Sequence, residues 1–274
     1  MAVTVAGAGE GYPLEPLPLT RAVDEFALTT VLLFVVVTAV RGLLAPSSPL
    51  AISDLDTALG VVGIVAGATL TALIFSPPGR RSGAHMNPAV TVALWLMDVF
   101  PGRSVLPYVM AQLAGSVAGT ALARWVWGHQ VAVVDYSAVR PAPSWRQAAV
   151  FLSETGCLIG VVLLVGFFLA NPKHAAVLPW ALGIAVGLII AFLGPLSGGS
   201  ANPARQFGPA VLSGRTRYLW IYLVAPILGA VLGASVHHLL IRRFNTHRPL
   251  TYKLAGAGRH DNAPPADRAG RGSA

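Results

Sequence analysis

Six long apolar runs constrain this chain more than any other feature of it: roughly 25–44, 54–76, 104–127, 147–170, 177–194 and 217–241. An α-helix needs about 20 apolar residues to cross a hydrocarbon layer about 30 Å thick, and each run meets or approaches that length. In lipid every backbone N–H and C=O must be paired within the protein, and helices achieve this segment by segment. With 54% hydrophobic and 11% charged residues, and a mean hydropathy of +0.65, the chain is expected to be an all-α, multi-pass membrane protein.

Two shorter apolar pieces lie between the second and third runs and between the fifth and sixth. Each opens on an Asn-Pro-Ala: Asn87, Pro88 and Ala89, running to about Met97, and Asn202, Pro203 and Ala204, running to about Ser213. At 1.5 Å per residue each spans roughly 15–18 Å, about half of the hydrocarbon core. Asn is a favoured N-cap, and Pro at the first helical position gives up a donor that would be unpaired anyway. Pro101-Gly102 stops the first piece and Gly214 the second, so both are predicted to be half-helices. Pro209 removes one hydrogen bond from the second, which is tolerable only where the helix is buried in protein.

The chain also repeats itself. Tyr108, Ala111, Gly115 and Gly119 match Tyr222, Ala225, Gly229 and Gly233 at one offset, and Asn87 matches Asn202 at almost the same one. Glu25 and Glu154 each open a copy, giving halves of about 21–128 and 147–245. Three spans and one half-helix make the unit. Three is odd, so the second copy enters from the opposite side, an inverted repeat in which the half-helix tips point at each other. The glycines of the third and sixth spans are expected to let helices cross closely.

The net charge of +8 does not mark a nucleic-acid protein, because the Lys and Arg sit in short loops and near the C-terminus rather than along one amphipathic face. With both termini on one side, that side holds Arg21, Arg80, Arg81, Arg103, Lys173, Arg242, Arg243, Arg248 and Lys253. The other holds Arg41, Arg124, Arg140, Arg146, Arg215 and Arg217, which predicts cytoplasmic termini. A single Cys157 excludes an intrachain disulfide and a thiolate metal cluster. Residues 1–20 lack the pattern of a cleavable signal and are expected to be unstructured, as is the polar tail 254–274. No cofactor motif, metal set or firm catalytic constellation is present. Ser197 or Ser200 with His238 could at most be imagined as a protease dyad.

The stretches Ser82-Gly83-Ala84-His85-Met86-Asn87-Pro88-Ala89 and Ser197-Gly198-Gly199-Ser200-Ala201-Asn202-Pro203-Ala204-Arg205 resemble the two signature loops of the aquaporins, the major intrinsic protein family. The resemblance covers about 21–245. It implies six transmembrane helices and two re-entrant half-helices, set in the lipid bilayer of the cell membrane. It also implies a homotetramer with one passive pore per subunit for small neutral solutes. A helix N-terminus carries roughly half a positive charge, so two opposed tips repel cations, protons included. Arg205, an intramembrane charge, stands out as functional by default. Glu25 and Glu154 read on their own as interfacial caps; the resemblance implies that they brace the loops. It places His85 in the same hydrogen-bond scaffold in preference to a gate or metal ligand, while His237 and His238 read as interfacial.

The resemblance further implies a filter of four positions. Spacing from the second motif gives Ile190, Gly199 and Arg205. The second-helix position is Gly67 by strict count, and Ala66 if one residue is absorbed in the following loop; Ala66 is the preferred assignment. This set looks like the nodulin-26-like branch, with boric acid, arsenous acid, urea and glycerol as expected solutes beside water. Gln206 stands where glycerol facilitators carry Asp. An ordinary water channel, a polyol facilitator and a junction-forming membrane protein are the alternatives.

Overall fold

The computed structural model describes residues 16–171, 173–244 and 252–255. Nine α-helices run in the order α1 (Leu19–Leu44), α2 (Leu55–Phe75), α3 (Pro77–Ser82), α4 (Pro88–Leu96), α5 (Gly102–Trp127), α6 (Gln147–Ala170), α7 (Leu178–Leu193), α8 (Pro203–Ser213) and α9 (Leu219–Phe244) among those residues. Helices α1, α2, α5, α6, α7 and α9 are long and apolar enough to cross a membrane. Helices α4 and α8 are the half-helices.

The helix ends follow local chemistry. Asp54 caps α2 by accepting from the Thr57 N–H at 2.7 Å. Ser76 caps α3, with Pro77 in its first turn, and α3 closes on Gly83 at φ 103°. That turn of helix occupies what reads in the sequence as a plain loop, because two prolines at a helix start are locally indistinguishable from a coil.

Packing repeats across the halves: α1 lies on α5 as α6 lies on α9, and α2 against α7 joins the copies. A Cβ at Gly115 would stand 2.6 Å from the Phe26 carbonyl oxygen, and one at Gly229 would meet that of Thr155. These crossings are close enough that only hydrogen fits.

Several expectations need correction. Leu17 donates its N–H to Ser104 Oγ at 2.8 Å and α1 begins at Leu19, so order begins before residue 20. At the other end Leu254 is 2% exposed and donates to the Gly83 carbonyl at 3.1 Å, so the segment 252–255 is packed; residues 1–15 and 256–274 lie outside the described ones. His237 is buried against Gly166 of α6 rather than interfacial. His238 Nε2 stands 2.7 Å from the Leu96 carbonyl, taking up an orphan group at the end of α4. Both are drawn inward by partners far away in the sequence.

Between α5 and α6 the chain turns through short 3₁₀ helix at Gly128–Ser137, burying Val131 and Tyr136. Asp135, Tyr136 and Ser137 stand at φ 49°, 56° and 66°. Three consecutive residues in this disfavoured region persist only where surrounding contacts fix them.

Candidate functional site

Each re-entrant loop is held by a buried glutamate on a neighbouring helix. Glu25 Oε1 accepts from the Ser82 hydroxyl at 2.7 Å and the His85 N–H at 3.0 Å. Its Oε2 accepts from the Met86 N–H at 2.7 Å and Gln112 Nε2 at 2.8 Å. Glu154 repeats the pattern. Its Oε1 takes the Ser197 hydroxyl at 2.9 Å and the Ser200 N–H at 3.2 Å, and its Oε2 the Ala201 N–H at 2.7 Å. The Tyr108 hydroxyl donates to the Ser82 carbonyl at 2.8 Å, and the Tyr222 hydroxyl to the Ser197 carbonyl at 2.5 Å. Backbone turned inward at membrane depth needs such partners. The Thr29 hydroxyl, one turn along α1 from Glu25, is buried without a hydrogen-bond partner and takes no part in the brace.

The loops end at the two motifs. Asn87 Oδ1 accepts from the Ala89 N–H at 2.9 Å, and Asn202 Oδ1 from the Ala204 and Arg205 N–H groups at 2.9 and 3.3 Å. Each Asn then crosses to the other half. Asn87 Nδ2 donates to the Ala201 carbonyl at 3.0 Å, and Asn202 Nδ2 to the Met86 carbonyl at 2.9 Å. Met86 and Ala201 adopt matching φ values of 47° and 46°, which aim those carbonyls across the axis.

A cavity runs along these tips, walled on one side by Asn87, Ser200, Ala201 and Asn202 and on the other by aliphatic residues of α1, α2, α6 and α7. Ala66 lines it; Gly67 does not. Gly67 faces away, with its Cβ position against the Gly183 carbonyl of α7. Ile190, Gly199 and Arg205 complete the wall. A second, wider cavity opens beside the loop 133–143, and Ile190 and Arg205 line both. They therefore stand where the two spaces meet.

The Arg205 guanidinium donates through one Nη to the Ser137 carbonyl at 2.7 Å and through the other to the Ser137 hydroxyl at 2.9 Å. Next to it, Gln206 accepts from the Val139 N–H at 2.9 Å and donates to its carbonyl at 3.1 Å. These partners have no signature in the sequence, since Ser137 and Val139 sit in an irregular loop. Tyr108 and Tyr222 stand out in the sequence only as a repeat match, and Gln112 carries no signal there.

Both nitrogens of the His85 ring are engaged. Nε2 lies 3.1 Å from the Tyr252 carbonyl, which can only accept, so in the neutral ring Nε2 carries the proton, and Nδ1 faces the Thr91 hydroxyl at 3.1 Å. Among the described residues no group of three or more His, Cys, Asp or Glu is placed to hold a metal ion. Ser197 donates to Glu154, Ser200 to the Asn202 carbonyl, and His238 contacts Leu96 beside the other loop, so no dyad forms.

Facing half-helix tips set along one cavity, within a six-span bundle, offer a passage rather than a reaction centre; the class is a membrane channel. The sequence model of the family described as major intrinsic protein matches residues 16–237. The propanediol uptake facilitator of Citrobacter freundii is 33% identical over 227 residues, 71% of this chain and 84% of its own. A probable aquaporin of Archaeoglobus fulgidus is 36% identical over 188 residues, 66% and 76% of the two chains. An aquaporin of Oryza sativa subsp. japonica is 35% identical over 230 residues, 82% and 70%. The X-ray structure of the aquaglyceroporin from Plasmodium falciparum matches with a TM-score of 0.69 over 83% of this chain and 98% of its own, at 23% identity, a likeness of fold. The chain belongs to the major intrinsic protein family, and is a passive channel for small solutes, not an enzyme.

Proposed function

We propose that the pore passes water together with glycerol, urea and neutral metalloid acids such as boric and arsenous acid, and excludes protons and ions. The observation that carries this reading is the wall where the two cavities meet. Ile190 and Arg205 line both spaces, and Ala66 and Gly199, which line the first of them, are the small members of the set. A large aromatic or a His at those places would narrow the passage and suit water alone. Ala, Ile and Gly leave room for a wider solute, while Arg205 supplies donors to its oxygens. The set resembles that of the nodulin-26-like branch.

The half-helix tips, the Asn87 and Asn202 amides and Arg205 together oppose cations and break a chain of waters. The subunit works in the cell membrane as a homotetramer, with both termini cytoplasmic and a polar tail beyond the channel domain. A polyol facilitator is the second reading, favoured by the likeness to a propanediol uptake facilitator.

Stopped-flow light scattering of proteoliposomes tests the assignment. Water, glycerol, urea and boric acid gradients should all relax faster than in empty vesicles. Acceleration with water alone would replace this reading with an ordinary water channel.

A further inference from the structure

We infer that Leu254, carried on the C-terminal segment 252–255, forms the inner constriction of the pore and sets its permeability. This rests on the reading of the cavity as the conducting path.

Leu254 lies far along the chain from both re-entrant loops, yet it is 2% exposed and walls the same cavity as His85, Met86 and Asn87. Three contacts seat it. Its N–H donates to the Gly83 carbonyl at 3.1 Å. The Tyr252 carbonyl faces His85 Nε2 at 3.1 Å. The Tyr252 ring meets Phe100 and His85 edge-on, with centroids 5.5 and 6.2 Å apart.

The first re-entrant loop is shaped to receive this segment. Gly83 stands at φ 103°, and a Cβ there would lie 2.9 Å from the Tyr252 ring and 3.1 Å from its carbonyl oxygen. Only a residue without a side chain leaves the berth open.

An aliphatic side chain set into a cavity whose far wall is already aliphatic completes a hydrophobic constriction, which gates by excluding water. Permeability then follows how completely this segment is seated.

The test uses the full-length chain in proteoliposomes, with Cys157→Ala as background, since Cys157 is the single cysteine. Leu254→Gly and Tyr252→Ala should each raise glycerol and urea flux severalfold per incorporated protein. Leu254→Trp should lower it, and Leu254→Cys should lose flux on treatment with a benzyl thiosulfonate. Ile190→Trp, at the opposite end of the cavity, reports on the pore itself. If every change at 252 and 254 leaves flux at the parent value while Ile190→Trp cuts it, the constriction is overturned and the pore stands. If Ile190→Trp also changes nothing, the pore reading fails and this inference with it.

Discussion

Glu154 offers the sharpest test of what holds the second loop in place. Glu154→Ala removes the acceptor of two backbone donors, the Ser200 and Ala201 N–H groups, and of the Ser197 hydroxyl. The hydroxyl can rotate to another partner, whereas the two N–H groups are fixed by a backbone that carries Ala201 at φ 46°. A buried donor left unpaired costs about 1–3 kcal/mol, so the pair should cost about 2–6 kcal/mol. Glu154→Gln keeps one acceptor oxygen and sets an NH₂ against the other donor, so it should lose about half as much. For a chain of this size even about 2 kcal/mol lowers the unfolding midpoint by about 4–8 °C. Thermal unfolding in detergent can be followed by the fluorescence of the 6 tryptophans. Glycerol flux should fall in parallel, because Ser200 and Ala201 wall the cavity. A Glu154→Ala protein that melts with the parent and conducts like it would falsify the claim that this carboxylate holds the loop.

Ala66→Phe with Ile190→His should leave water flux measurable in stopped-flow assays while abolishing glycerol, urea and boric acid flux; undiminished glycerol flux would place the filter elsewhere. Gly67→Ala puts a methyl against the Gly183 carbonyl, and should cost about 1–3 kcal/mol in thermal unfolding with little change in solute preference; a loss of glycerol selectivity at normal stability would make Gly67 the filter residue. Arg205→Val removes the cation held by Ser137, and pH-sensitive dye in the vesicle lumen should report proton leakage absent from the parent.

The spans and half-helices are legible in the sequence because they depend on local quantities: run length, an Asn-Pro start, a Gly or Pro-Gly stop. The inverted repeat is legible because matching residues recur at one offset. What the sequence withholds is decided by partners far along the chain. His237 and His238 read as interfacial from their place near a helix end, yet α6 and α4 draw them inward. Ser137 gains its meaning only because Arg205 meets it across 68 positions. Leu254 looks like the start of a polar tail, and only the berth at Gly83 gives it a place. At position 66 the count leaves two residues open, and the helix phase puts Ala66 on the cavity and Gly67 on α7.

The crossed amides have a consequence for biosynthesis. Asn87 bonds to Ala201, and Asn202 to Met86, so each loop is finished by an atom of the other. The ribosome delivers the first loop long before its partner exists. Until Ala201 emerges, Asn87 has no carbonyl to meet, and the first three spans wait in the bilayer with an incomplete tip. Protease access to the loop at 83–87 should therefore persist in chains arrested before Ala201 and vanish in released ones. Both tips must be completed in one late event, after most of the chain has already been inserted.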